Sequence, residues 1–217
     1  MNRRYSRKRR KTSKIKETLL IHIENNLREY VIVTIIFLVG IIIGVIFINN
    51  ISVEQKTEIN NYISEFISNL KENSNVNEFA LLKDSISKNC VLAIFLWFMG
   101  STVIGISIVY LIICFRGFCL GYTISAIILT CGTGKGILFL ASTILLQNIL
   151  FIPCVLALAV SGMRLHNSII KDGRRQNIKL EILKHTVFSM ILLILLILSS
   201  VIEVYVSKNI FHCILVI

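Results

Sequence analysis

Five stretches of the chain contain no Asp, Glu, Lys or Arg: Tyr30–Val53, Asn89–Phe115, Gly117–Gly134, Gly136–Met163 and Thr186–Ile202. In a helix, about 20 predominantly apolar residues cover the hydrocarbon core of a bilayer. Backbone groups buried there have no water to turn to and must be satisfied within the segment. The composition agrees, with 55 % hydrophobic residues, 16 % charged residues and a mean hydropathy of +0.77, whereas soluble domains carry about 25 % charge. The expectation is an all-α, polytopic integral membrane helical bundle. Its five transmembrane helices are placed at about 30–50, 89–115, 117–134, 136–163 and 185–206, the third being the shortest. The first run is expected to remain as an anchor, because residues 1–29 precede it and no small-residue cleavage site follows.

Basic residues set the orientation, since Lys and Arg gather in cytoplasmic loops. Residues 1–29 form a basic head with ten of them, and 164–185 carries six more. Arg116, between the second and third runs, reads as a short cytoplasmic turn. Five crossings with the N-terminus inside and the C-terminus outside bring these groups to one face. Lys56, Lys71, Lys83, Lys88, Lys135 and Lys208 are then left outside. A re-entrant third run would move the six-charge loop outside, against the rule. The head is a topology signal first and a contact for anionic lipid second, at about 1 kcal/mol per basic residue near the surface. A nucleic-acid partner is not expected for a segment tethered to a membrane.

The membrane domain, 30–217, includes one sizeable extracytoplasmic loop, 51–88. Within it Ile59, Tyr62, Ile63, Phe66, Ile67 and Leu70 recur at steps of three and four, which marks one face of an amphipathic helix. Val76, Phe79, Leu82 and Ile86 repeat the pattern more weakly. Such a row either rests on the outer leaflet or its own bundle, or forms a partner-binding surface.

Motifs for chemistry are lacking. Gly132 to Gly136 includes Gly134 and Lys135, yet a phosphate loop needs Gly at 129 and Ser or Thr at 136, where this chain has Leu129 and Gly136. The segment reads as a tight outer turn. Glu203 is the one carboxylate inside an apolar run, near its outer end, and His22, His166, His185 and His212 all read as interfacial. No metalloprotease, nucleophile-elbow or paired-Asp arrangement occurs. The six cysteines show no metal-ligand spacing and read as small membrane hydrophobes. Neither an enzyme nor a cofactor-binding protein is expected.

Packing signals are better placed. Gly40 with Gly44 and Gly117 with Gly121 are both GxxxG pairs, and Gly100 precedes Gly105. Helices in lipid associate through such close backbone approach, here either within one chain or between two in a homodimer. Gln147 and Asn148 fall mid-run, where an unpaired amide costs several kcal/mol. They must face protein or a wet cavity. Pro153, the only proline, removes a backbone donor and frees the carbonyl of Ile149. Structural hydrogen bonding between helices is the default reading of this stretch, and a transport path the sharper one.

Asn89, then Trp97 to Gly100 with Gly105, Phe115 to Phe118 with Gly121, Gln147 with Asn148, and Ile152 with Pro153 follow in an order and spacing that resembles the stage II sporulation protein M family. The resemblance runs from about Ile32 to the C-terminus. It implies a membrane protein of the sporulation septum and engulfing mother-cell membrane. By resemblance its role is a non-catalytic scaffold anchoring two peptidoglycan hydrolases, stage II sporulation proteins D and P. The wider family is also similar to permease subunits of some ABC exporters, which implies a permease or channel subunit as the alternative.

Overall fold

The structure, a computed structural model, describes residues 26–72, 78–102, 105–140, 146–171 and 178–215. All regular structure among them is α-helical: α1 (Leu27–Asn50), α2 (Val53–Glu72), α3 (Glu78–Gly100), α4 (Gly105–Cys131), α5 (Thr133–Leu140), α6 (Leu146–Lys171) and α7 (Ile178–Leu215). The basic cluster from Arg3 to Lys16 lies outside the described residues. Four helices are long and apolar enough to cross a membrane: α1, α4, Asn148–Ile170 of α6 and Lys179–Tyr205 of α7. Helix α3 does not reach that standard, because Lys83, Asp84 and Lys88 occupy its first half.

The expected helices at 89–115 and 117–134 are corrected in one respect. No break occurs at Arg116, since α4 runs through it from Gly105 to Cys131. The break falls instead between the end of α3 at Gly100 and the start of α4 at Gly105. Ser101 Oγ donates to the Trp97 carbonyl at 2.9 Å and Thr102 Oγ1 to that of Met99 at 2.9 Å, so hydroxyls satisfy the last carbonyls of α3. The expected 136–163 helix becomes α5 and α6, and the expected 185–206 helix begins earlier, at Ile178. Within 51–88 α2 follows the expected amphipathic row, and α3 begins well before Asn89.

Local chemistry explains the element ends. Ser52 and Gln55 form a capping box: the Gln55 backbone N–H donates to Ser52 Oγ at 3.3 Å and the Ser52 N–H to Gln55 Oε1 at 3.2 Å. Lys56 Nζ donates to the carbonyl of Asn49 at the end of α1. Gly132 ends α4 with φ at 76°, a left-handed conformation that glycine adopts without strain.

Helix α6 is the centre of the bundle, with 61 % of its span buried against 28 % for α1, 28 % for α4 and 33 % for α7. Its Leu158 and Val160 share one buried cluster with Val33 of α1, Leu96 of α3, Ile113 of α4 and Leu192 and Leu196 of α7. Large apolar side chains cover the outward faces, among them Ile42 on α1, Leu111 and Phe115 on α4, and Met190 on α7. A protein surface so apolar is stable only against lipid or another protein.

Candidate functional site

Two GxxxG motifs meet each other. Buried positions Val33, Phe37, Gly40, Gly44 and Ile48 line one face of α1, and Gly105, Val109, Ile113, Gly117 and Gly121 line one face of α4. A Cβ on Gly40 would run into the carbonyl oxygen of Cys114, and one on Gly44 into that of Phe118. From the other side, a Cβ on Gly117 would strike the carbonyl of Phe37 and one on Gly121 that of Ile41. Residue numbers rise together along both helices, so α1 and α4 run parallel. Phe47 caps the seam edge-on to Phe118, ring centroids 5.6 Å apart. The four glycines are thus used within the chain.

A second close approach joins Gly100 of α3 to Gly162 of α6, where a Cβ on either would lie 2.7 Å from the other's Cα. Gly105 serves the turn, its N–H donating to the Thr102 carbonyl at 3.3 Å. Sequence reasoning missed Gly162. The adjacent small pair Ser161 and Gly162 in an apolar run was the signal available.

Polar side chains join α3 to α7 at both ends of their contact, and α6 to α7 at one of them. At one end Ser85 Oγ donates to Glu203 Oε2 at 2.5 Å, and Asn89 Nδ2 donates to Ser200 Oγ at 2.7 Å. At the other, Trp97 Nε1 donates to Thr186 Oγ1 at 3.3 Å, while Ser161 Oγ and His185 Nδ1 lie 2.8 Å apart. Residue numbers fall on α7 as they rise on α3, so these two helices are antiparallel. His185, read from sequence as interfacial, is 4 % exposed, because α3 and α6 close over it. Between the two polar ends, Ala93, Leu96, Leu192 and Leu196 are buried and apolar.

Arg116 lies eleven residues into α4, about 16 Å along its axis. Its guanidinium sits 5.1 Å from the centroid of the buried Phe151 ring on α6. By translocon insertion, an Arg at a helix centre costs about 2.5–3.5 kcal/mol. Asn148, one turn before Phe151 on α6, is half-buried and engaged in contacts. Pro153 is exposed on the same helix. The side chain of Gln147 lies outside the described residues.

At the far end of α4, Thr130 Oγ1 donates to Asn60 Oδ1 of α2 at 2.8 Å, which ties the amphipathic helix to the bundle. Within the expected partner row Ile59 and Ile63 are half-buried and Tyr62 is exposed. Phe66, Ile67 and Leu70 belong to α2, but their side chains lie outside the described residues. Cys90, Cys114, Cys119, Cys131 and Cys154 are free thiols. Among the described residues no group of three or more His, Cys, Asp or Glu is placed to hold a metal ion.

Comparison with known proteins gives a family. The family model described as Stage II sporulation protein M matches residues 33–208. An uncharacterized protein of Methanocaldococcus jannaschii is 28 % identical over 184 residues, which covers 83 % of this chain and 94 % of that protein. No solved structure matches.

Proposed function

We propose, from the premise that the chain belongs to the stage II sporulation protein M family, that this sporulation-family membrane protein is a non-catalytic scaffold. It anchors the peptidoglycan hydrolases, stage II sporulation proteins D and P, at the septum during engulfment. The family match over 33–208 carries the proposal, since it takes in three of the four apolar spans whole and most of the first. Where the polar groups go supports it. Ser85, Asn89, Trp97 and Ser161 each meet a side chain on α7, an arrangement for holding helices rather than for turnover. One observation, Arg116 well inside α4, favours a permease subunit instead.

The proposed topology has five crossings: α1, α3, α4, α6 (entered through α5) and α7, with the N-terminus inside and the C-terminus outside. Parallel α1 and α4, with α3 antiparallel to α7, suit that path. Sixteen of the basic residues then lie inside, in 1–29 and 164–185, and Arg116 lies in the membrane. The basic head rests on anionic lipid. Helix α2 is extracytoplasmic, on the side where hydrolases of the cell wall act, and presents Tyr62. An amphipathic row of this length fits helix-in-groove recognition.

The test is imaging of both hydrolases at engulfment in a strain whose only copy carries Tyr62→Ser with Phe66→Ser. The expected result is lost septal recruitment and slowed engulfment at normal protein level. Normal recruitment would remove α2 as the partner surface.

A further inference from the structure

Among the described residues, no carboxylate pairs with the Arg116 guanidinium. Between Asp84 and Asp172 the sequence holds no Asp or Glu. Acids on the neighbouring spans sit at other depths or are engaged. The α1–α4 register puts Phe37 level with Gly117, so Glu29 lies about two turns below Arg116. Glu203 accepts from Ser85, and Glu181 pairs with Lys184. The ring of Phe151 stabilises the guanidinium without neutralising it.

We propose that Arg116 is one half of an intramembrane ion pair whose carboxylate comes from a transmembrane helix of a different protein. Charges inside membranes face partners rather than lipid, and the planar guanidinium matches a carboxylate with two parallel hydrogen bonds. A second parallel copy of this chain has its acids at the same unsuitable depths. Arg116 is about 16 Å from one end of α4 and about 22 Å from the other, a position well away from both helix ends. A permeating anion is disfavoured by the buried apolar cluster that Phe151, under the guanidinium, and Ile113, one turn before Arg116, both join. Leu111 and Phe115 on α4 and Ile149 on α6 are exposed beside the half-buried Arg116. They offer an apolar face on which a helix can lie.

The inference rests on the scaffold reading only in taking a protein rather than a solute as the occupant, and its test does not involve the hydrolases. The full-length protein, labelled with a donor fluorophore, is reconstituted in phosphatidylcholine vesicles with acceptor-labelled Leu/Ala helices of about 24 residues. These carry Glu, Gln or Lys at the central position. The native protein is expected to bind the Glu helix about threefold to tenfold more tightly than the Gln helix. Arg116→Lys should retain part of that preference, Arg116→Gln should abolish it, and Arg116→Glu should transfer it to the Lys helix. The charge swap keeps the test decisive if Arg116→Gln folds poorly. Equal binding of Glu and Gln helices by the native protein would overturn the proposal. So would Arg116-dependent chloride efflux from the vesicles without discrimination between helices, and that result would also favour the permease over the scaffold.

Discussion

A methyl group added at Gly117 would meet the carbonyl oxygen of Phe37, whereas at Gly134 nothing lies within 4 Å. Overpacking a tight contact typically costs about 1–3 kcal/mol. Gly117→Ala is therefore expected to lower the thermal midpoint in detergent, and Gly134→Ala to leave it unchanged. Equal midpoints for the two variants would mean that the α1–α4 seam has slack. Polar contacts follow a gentler scale. Asn89→Leu removes the donor to Ser200, and interhelical hydrogen bonds in membranes are worth about 0.6–2 kcal/mol. A modest drop in midpoint is expected, and Ser200→Ala should add little to it in a double variant. Additive losses, measured in the same melts, would show that the two side chains act independently.

At the level of elements, α4 is the decisive case. Reagents that cannot cross lipid should leave Phe115→Cys unlabelled from either side on a cysteine-free background, while Gly134→Cys is labelled from one side. Labelling of Phe115→Cys would restore a turn at Arg116. The membrane class was legible because uncharged runs of this length have few other uses, and the glycines of the α1–α4 seam were visible as two GxxxG pairs, though not that the two meet each other. Continuity through Arg116 was not. A scan for charge treats every Arg as a boundary, yet Arg is nearly as good a helix former as Leu. Its aromatic support, Phe151, is remote in sequence and on another helix. The true turn did have a local sign, Ser101 and Thr102 ahead of Gly105. It was overlooked because both hydroxyls sit in an uncharged run. The burial of His185 was not legible for a related reason: it stands next to the exposed Lys184, and the groups that approach it, Ser161 and Gly100, are remote in sequence.

For the whole molecule, the proposed topology makes a direct demand. Cysteine placed at Asn61 or Tyr62 should react with an impermeant thiol reagent applied outside intact cells. Cysteine at Lys179 or Leu180, both exposed, should react only after permeabilisation. External labelling at 179 would reverse the orientation or change the number of crossings.

The parallel pairing of α1 with α4 also has a temporal side. Gly40 finds its partner backbone only at Cys114 to Phe118, so in a chain inserted as it is made, α1 enters the bilayer long before its mate exists. At about 5–20 residues per second of synthesis, the delay is on the order of 4–15 s. During that interval the bare glycine groove of α1 is open to the groove of another nascent chain. A ribosome stalled before α4 would leave that groove permanently open. Assembly of this protein is thus set by the order in which its helices arrive, with the first to be made left unhoused until α4 follows it.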